Sequence, residues 1–280
     1  MSFNIVKRLN IVVPYRDREA HLREFVPHLR AYFARDKVDR DIPYRVLLIE
    51  QEHGLPFNRG ALKNIGFLLG RDDSDYTCFH DVDYLPIWAD YTWVDVPTPI
   101  VWYGAETRPI APERSTRYVE NNLESFFGGA VLIPNNLFSQ VNGYANSYWG
   151  WGYEDSDLHT RFMVAGVSCG RRKGTFLPLT HDNEGFQRDG QRSVISATNL
   201  LLYRERWAGG KWANGGLMEK DGLSSAAFDV LDRRAIAEDT LPERTAIWEI
   251  VTVRLNMQPH PDQIEALASS PPGEYTSRPS

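Results

Sequence analysis

The segment LNIVVPY, residues 9–15, is a short and mostly apolar run with β-branched side chains at its centre, and it ends at a proline and a tyrosine. In the next segment, EAHLREFVPHLRAYFARD (19–36), apolar residues recur at three- and four-residue spacing, which is the period of an α-helix. Together the two patterns predict a buried strand followed by a helix.

The same alternation continues along the first third of the chain. YRVLLIEQ (44–51) is a second apolar run, NRGALKNIGFLLGR (58–71) has helical spacing, and YTCFHDVD (76–83) is an apolar run that stops at acidic residues. Strands that alternate with helices predict βαβ units and a mainly parallel sheet with helices on both faces. The predicted fold class is therefore α/β, with one catalytic domain over residues 1–256.

Weaker patterns complete this domain. FFGGAVLI (126–133) predicts another strand, and its two glycines fit either close approach of the backbone to a ligand or a β-bulge. Residues 257–280 are rich in proline and serine, which predicts a flexible tail. Helices are also predicted at 134–144, 154–166 and 193–207, and closing strands at 223–236 and 246–255.

Composition excludes several classes of function. The 280 residues carry a net charge of -6 and no basic run longer than GRRKG (170–174), which argues against a nucleic-acid partner. No apolar run reaches the roughly 20 residues of a membrane helix, and the N-terminus lacks a signal-peptide pattern. Cys78 and Cys169 lie in or beside apolar runs, as buried free thiols do. We expect a cytoplasmic protein without a transmembrane segment, and peripheral membrane association stays open.

Charged residues follow the predicted strands at one edge of the sheet. The loops 14–18 (PYRDR), 50–60 (EQEHGLPFNRG) and 80–86 (HDVDYLP) should converge there, because ligands bind beyond the carboxyl ends of parallel strands. Two carboxylates in HDVD suit a hard divalent cation, and guanidinium groups suit phosphate. Acidic turns and solvated arginines are the ordinary alternatives for each motif alone. Their combination at one edge favours a nucleotide diphosphate site.

The segment WGWGYEDSD (149–157) combines flat apolar rings, flexible backbone and carboxylates. Its glycines suit a loop that opens and closes, and the tryptophans offer faces on which sugar rings pack. Glu154 and Asp155 fall in the first turn of a predicted helix, which favours the ionised carboxylate and therefore a general base. The alternative is an acidic helix start with tryptophans in the core. His181, at the end of a short apolar run, is a candidate metal ligand or an ordinary turn residue.

With these motifs assembled, the chain resembles the β-1,4-galactosyltransferase family (glycosyltransferase family 7), whose members are inverting enzymes with a GT-A fold. The resemblance covers about residues 9–255. VPHLRAYF and HDNEGFQRD are most similar to the branch that transfers galactose to xylose in proteoglycan linkers. The segments that carry it, in order, are NIVVPYRDR, FNRGALKNIGF, YTCFHDVDYLP, FFGGAVLI, VNGYANSYWGWGYEDSDL, HDNEGFQRD and DGLSSAAFDVLD.

The resemblance implies a role for each matching position. Asp155 would be the catalytic base, and Asp83 and His181 would ligate Mn2+. Glu154, Trp151 and Tyr153 would contact the acceptor. The donor pocket would be formed by Pro14, Tyr15, Arg16, Arg18, Phe57, Arg59, Asp81, Val82, Phe126, Gly128, Gly129 and Trp151.

Four positions differ from the family pattern. Tyr153 and Ser156 replace residues of the usual acidic motif, and Pro178 stands where a metal-binding methionine often precedes the histidine, so Asn183 or water is left as the third ligand. Phe126 aligns with a tyrosine that helps to select galactose over N-acetylgalactosamine.

The implied activity is Mn2+-dependent transfer of galactose from UDP-galactose to a sugar hydroxyl of a glycan or glycoside, forming a β-1,4 linkage. Loop 145–156 would close over the bound donor. UDP-GalNAc or UDP-glucose is the alternative donor, and an inactive sugar-binding protein is the alternative class. Animal members have a membrane stem that this sequence lacks, so we expect a bacterial cytoplasmic enzyme that builds a cell-surface glycan or capsule.

Overall fold

Strand β1 (Leu9–Tyr15) lies at the centre of a seven-stranded sheet and is buried along its whole length. The structure is a computed structural model that describes residues 6–40, 42–101, 126–179, 193–208, 215–236 and 247–269. The other strands are β2 (Tyr44–Gln51), β3 (Tyr76–His80), β4 (Tyr84–Trp88), β5 (Thr98–Pro99), β6 (Ala130–Pro134), β7 (Thr175–Pro178), β8 (Phe228–Ala235) and β9 (Ile247–Leu255). The helices are α1 (Glu19–Arg40), α2 (Arg59–Gly70), α3 (Asn135–Gln140), α4 (Glu154–Val164), α5 (Val194–Trp207), α6 (Gly215–Lys220) and α7 (Pro261–Ala268).

The main sheet has the strand order β5-β6-β3-β1-β2-β9-β8. The four central strands run parallel, with β1 between β3 and β2, and β9 beside β2. The outer strands β6 and β8 pair antiparallel with β3 and β9. Strands β4 and β7 form a separate antiparallel pair. The predicted α/β class, with a mixed sheet that has a parallel centre, is confirmed.

Side chains alternate between two apolar layers, one on each face of the sheet. On one face Ile11 and Val13 pack with Phe25 and Leu29 of α1. On the other face Val12 belongs to the layer that contains the buried side of α2 and parts of α3 and α4. Because both faces are covered, the central strands are apolar throughout, which explains their continuous hydrophobic runs.

Helix α2 is capped at its N-terminus and lies close to the sheet at Gly66. Its N-cap is Asn58, whose side chain accepts the Ala61 N–H at 2.9 Å. Farther along, a Cβ built on Gly66 would lie 2.3 Å from Cγ1 of Val12, so only glycine permits this approach to β1. The start of α2 is thereby fixed at the carboxyl edge of the sheet.

Two parts of the chain differ from the sequence prediction. Strand β6 begins at Ala130 rather than 126, because Gly129 has φ 75° and turns the chain before the strand. The predicted flexible tail contains helix α7, which begins with Pro261 and is capped by His260. Gln263 and Ala266 of this helix are buried, and the composition of the segment gave no sign of that. Residues 270–280 lie outside the described residues.

Two further features concern the helices and the cysteines. Within the described ranges, no helix is both long enough and apolar enough to cross a membrane. Cys78 is buried and Cys169 is partly buried, and both are free thiols.

Candidate active site

Arg59 is the first residue of α2, and its guanidinium group contacts three carboxylates. Nη1 lies 2.9 Å from Oδ2 of Asp81, and Nη2 lies 2.9 Å from Oδ2 of Asp155. Nε donates to Glu154. Asp81 follows β3, whereas Glu154 and Asp155 form the first turn of α4. The structure therefore brings together three of the predicted sequence motifs through one side chain.

Lys63, which the sequence reasoning missed, completes this cluster. Its Nζ lies 3.2 Å from Oδ1 of Asp155 and 3.6 Å from Oδ1 of Asp81, and the side chain is 1% exposed. It also lies over the ring of Tyr144, 4.9 Å from the centroid. The available signal was the spacing: Lys63 is one helical turn after Arg59, so both lie on the same side of α2.

The cluster holds three carboxylates and two cations in a mostly buried setting. Burial alone would lower the pKa of Arg59, but the carboxylates of Asp81, Glu154 and Asp155 raise it well above its usual value. Burial raises the pKa of Glu154, against the opposing effect of Arg59. Oδ1 of Asp81 is buried and accepts no hydrogen bond from any described residue. The site thus retains an unsatisfied acceptor that is oriented toward the same cluster.

The glycines before β6 make room for the candidate base. A Cβ on Gly128 would lie 2.6 Å from Oδ2 of Asp155 and 3.1 Å from the ring of Phe126. The backbone oxygen of Gly129 accepts the Asp81 N–H at 2.7 Å. A side chain at position 128 would therefore displace the Asp155 carboxylate, a reason for glycine here that the sequence alone could not supply.

The residues expected at the nucleotide lie around the end of β1. Burial raises the pKa of Tyr15 to about 12, so its hydroxyl stays protonated. Nη1 of Arg16 donates to the Leu55 carbonyl oxygen at 2.7 Å, and its guanidinium lies 5.3 Å from the ring centroid of Phe57. Arg16 and Phe57 thus meet at this edge, whereas Val82 is buried in the apolar layer beneath it.

The candidate metal ligands are described only in part. Asp83 follows β3, and its carbonyl oxygen accepts the Leu179 N–H at 2.7 Å, so the end of β7 lies beside it. His181 comes two residues after Leu179 and lies outside the described residues, as does Asn183. Among the described side chains, no group of three could hold a metal ion. Oδ1 of Asp81 accepts no hydrogen bond from any described residue, and Asp83 lies beside Leu179, which is two residues before His181. This arrangement of carboxylates fits a site for a hard divalent cation.

His80 supports this turn from behind. Its Nδ1 lies 2.8 Å from the Asp81 carbonyl oxygen, which can only accept, so Nδ1 carries the proton and donates. Nε2 then accepts from the Tyr91 hydroxyl at 2.9 Å. Burial lowers the pKa of His80 to about 4, which keeps the ring neutral. The imidazole thus fixes the backbone that carries Asp81 and Asp83.

This buried histidine makes the stability of the fold depend on pH. Between pH 6.5 and about 4 the unfolded chain protonates His80 but the folded chain does not, so acid favours unfolding. We expect a loss of about 3 kcal/mol in the free energy of unfolding across that range, measured by denaturant titration in metal-free buffer. His80→Gln should remove this part of the pH dependence, and the exposed His53→Gln should retain it. Equal pH slopes for wild type and His80→Gln would contradict the assignment.

The two tryptophans of the loop have different surroundings. Trp149 is 1% exposed and packs in the core, as the ordinary alternative supposed, whereas Trp151 is partly exposed. Gly150 and Gly152 have φ 73° and 100°, conformations that favour glycine. The loop ends at Tyr153, the N-cap of α4, whose ring stacks on Tyr203 at 5.6 Å. The predicted helix start with acidic residues in its first turn is therefore observed.

Comparison with known proteins identifies the family. Residues 4–93 match the N-terminal region of glycosyl transferase group 7, and residues 111–182 match the N-terminal domain of galactosyltransferase. The Caenorhabditis elegans xylosylprotein 4-beta-galactosyltransferase is 32% identical over 216 residues, covering 70% of this chain and 71% of that protein. The chain belongs to the β-1,4-galactosyltransferase family. The resemblance seen in the sequence is confirmed; a bacterial origin stays a prediction.

Other members of the β-1,4-galactosyltransferase family agree with this assignment. Human β-1,4-galactosyltransferase 7 is 34% identical over 241 residues, covering 84% of this chain and 65% of that protein. The chain spans 54% of the Drosophila melanogaster β-1,4-galactosyltransferase 7 and 60% of the Cricetulus griseus β-1,4-galactosyltransferase 4. It therefore corresponds to somewhat more than half of these relatives.

Solved structures give the fold. The catalytic domain of Drosophila β1,4-galactosyltransferase 7 in complex with xylobiose superposes with a TM-score of 0.62 at 25% identity, covering 90% of this chain and 96% of that chain. A mutant of the same enzyme, in complex with manganese, UDP-Gal and xylobiose, gives a TM-score of 0.61 at 24% identity, with the same coverage of both chains. The predicted GT-A fold is confirmed.

Besides Tyr153, the other three positions that differ from the family pattern also lie in the described residues. Pro178 ends β7, where its backbone pairs with Tyr84. The Ser156 carbonyl accepts the Thr160 hydroxyl at 3.0 Å on α4. The Phe126 ring lies beside Gly128, and its carbonyl accepts from Arg171 at 2.9 Å. Each of the three lies next in sequence or in space to a candidate site residue: Pro178 to Tyr84, which follows Asp83, Ser156 to Asp155, and Phe126 to Gly128.

Proposed function

We propose that this chain transfers galactose from UDP-galactose to a sugar hydroxyl with inversion, and that it requires Mn2+. The observation that carries the proposal is the Asp155 carboxylate, held by Lys63 and Arg59 at the sheet edge beside Asp81. Support also comes from the family and from a relative whose structure contains manganese and UDP-Gal. The cytoplasmic location and the role in surface-glycan or capsule synthesis belong to the same proposal.

The chemistry follows from the positions of the charged groups. Asp155 takes the proton of the acceptor hydroxyl while that oxygen forms a bond to the anomeric carbon. The bond from that carbon to the diphosphate oxygen breaks, and its electron pair leaves with UDP. The cation, held by Asp83 and His181, would neutralise the departing diphosphate. A single displacement inverts the configuration and forms no covalent intermediate with the enzyme.

Arg59 has an alternative partner in this mechanism. One oxygen of Asp155 accepts from Arg59 and the other from Lys63, and each keeps a lone pair that can accept the acceptor hydroxyl. A diphosphate is a strong bidentate partner for guanidinium. If Arg59 turns to the donor, Oδ2 of Asp155 gains a second lone pair for the acceptor hydroxyl. Lys63 keeps the second oxygen in place.

Metal and donor dependence test the proposal directly. We expect transfer to stop after treatment with EDTA and to return with Mn2+, measured as UDP release with a β-xyloside or another glycoside acceptor. Among UDP-galactose, UDP-GalNAc and UDP-glucose, UDP-galactose should give the highest kcat/KM. A higher kcat/KM for UDP-GalNAc or UDP-glucose would overturn UDP-galactose as the donor. That result would agree with Phe126 standing where the family has a galactose-selecting tyrosine.

The outcome also separates the enzyme from a binding protein. Metal-dependent turnover of any of the three donors excludes an inactive sugar-binding protein. Binding of UDP and sugars without turnover, across a broad set of acceptors, would overturn the proposed activity.

Asp83→Asn should raise the Mn2+ concentration that gives half-maximal activity, because it removes a charged oxygen ligand.

A further inference from the structure

Two buried carboxamides meet behind loop 145–156, which contains the sequence WGWG (149–152). Asn199 of α5 is 0% exposed and Gln263 of α7 is 1% exposed. Nε2 of Gln263 donates to Oδ1 of Asn199 at 2.8 Å. Buried amides are costly unless their donors and acceptors are paired, so a pair of this kind has a defined orientation.

The pair binds three carbonyl oxygens of the loop. Nδ2 of Asn199 donates to the carbonyls of Trp149 at 2.9 Å and Trp151 at 3.1 Å. Nε2 of Gln263 also donates to the carbonyl of Ser147 at 2.8 Å. These carbonyls can only accept, so neither amide can be reversed without losing its bonds. We call Asn199 and Gln263 the carboxamide clamp.

Packing at Gly150 reinforces this arrangement. A Cβ on Gly150 would lie 2.7 Å from Ile195 of α5 and 3.4 Å from Leu267 of α7, so the two helices meet over this residue. On its other side, the Gly150 N–H donates to the Phe57 carbonyl oxygen at 2.8 Å. The backbone at Gly150 is thus held between the end of the candidate donor pocket and the C-terminal helix, so any closing movement of the predicted mobile loop 145–156 must break or carry these contacts.

The orientation of Gln263 is set at the start of α7. Its Oε1 accepts the His260 N–H at 3.0 Å, as part of the cap of that helix. The same side chain therefore joins the helix cap, Asn199 and the loop. A segment whose composition predicts a flexible tail thereby supplies a buried contact to the loop that carries Trp151.

We propose that Asn199 and Gln263 are positioning residues for Trp151. Helix α7, through Gln263, thereby helps to set the geometry of the active site. The inference rests on the proposed function and on the acceptor contact that the family resemblance implies for Trp151. Neither residue touches the reacting atoms. Their effect is to hold the backbone from which the indole projects, so their loss should affect the acceptor more than the donor.

Hydrogen exchange at the Gly150 amide tests the clamp without any substrate. In Asn199→Leu and Gln263→Met, which keep size but remove the donors, exchange of this amide should rise at least about tenfold, equivalent to about 1.4 kcal/mol. Amides of β1 should stay protected. The exposed neighbours Leu201→Gln and Ile264→Gln are the matched controls and should exchange as wild type does.

Kinetics then test the positioning role. The acceptor kcat/KM should fall about tenfold in both clamp variants, while KM for UDP-galactose stays within about twofold. Gly150 exchange unchanged from wild type would overturn the clamp. Faster exchange with unchanged acceptor kinetics would overturn the positioning role. If the wild-type chain transfers no sugar, the proposed function fails, and the exchange result still decides the clamp.

A measurement on the wild-type chain covers the case in which a variant fails to fold. In native-state exchange at increasing denaturant, the Gly150 amide should open together with the amides of α7, because one interaction holds both. Gly150 amides that stay protected after α7 has opened would show that the helix does not hold the loop.

Discussion

Asp155→Asn is expected to lower kcat for galactose transfer by about 10²- to 10⁴-fold, the usual contribution of a positioned general base. Asparagine keeps the size of the side chain but has no oxygen that can accept a proton at neutral pH. Arg59 and Lys63 retain Asp81 and Glu154 as partners, so affinity for UDP-galactose should stay near that of wild type. Initial rates of UDP release, together with calorimetric titration of the donor, measure the two effects separately.

The matched control is Asp72→Asn, since the Asp72 side chain is 91% exposed and lies on the surface after α2. This variant should keep wild-type rates. Substantial residual transfer by Asp155→Asn with a normal donor affinity would refute the assignment of the base. Loss of both transfer and donor binding would instead assign Asp155 to the binding of the nucleotide sugar.

Lys63→Met is expected to cost about 3–5 kcal/mol in the free energy of unfolding, because it removes one member of a buried ion pair and leaves carboxylates uncompensated. For a chain of this size the melting temperature should fall by about 6–12 °C. Transfer should also fall, since Asp155 loses the partner of Oδ1. Thermal unfolding and initial rates measure the two effects, and the exposed Lys220→Met serves as the control.

Acid should partly rescue this variant. Burial already raises the pKa of Glu154, and loss of a nearby cation raises it further, so the folded variant takes up a proton more readily than the unfolded chain does. By linkage, the stability deficit relative to wild type should shrink as the pH falls toward the ordinary range of a carboxyl group. A deficit that grows with acid, or a melting temperature equal to that of wild type, would contradict this view of the cluster.

The sequence predicted those features that depend on local pattern and on the geometry of parallel sheets. Apolar periodicity located β1 and α2, and the rule that parallel strands end at one edge brought Arg59 and Asp81 together. Lys63 was not predicted as a site residue, because it lies inside a helix whose other buried residues pack in the core, where a lysine is unusual. Nothing in the local pattern signals that the carboxylates of Asp81 and Asp155 lie beside this position.

Long-range contacts account for the other misses. Gly128 is explained by a carboxylate 27 positions away in the chain, and Gln263 by Asn199 and a loop carbonyl 116 residues earlier. Proline and serine near the C-terminus predicted a flexible tail, and this composition gave no information on the burial of Gln263 and Ala266. Sequence patterns report on residues that are near one another along the chain. The roles of Gly128 and Gln263 depend instead on distant segments that pack against them in the fold.

The contact between Gly66 and Val12 has a consequence for how variation in this family is interpreted. Arg59 and Lys63 lie one turn apart on a single rigid helix, so any side chain that lifts α2 from β1 displaces both cations by the same amount. Position 66 would therefore behave as an essential catalytic position in a mutational scan, although it is buried behind the site and meets no substrate. A comparison of homologues that sorts positions only by distance to the ligand would assign it to the wrong group.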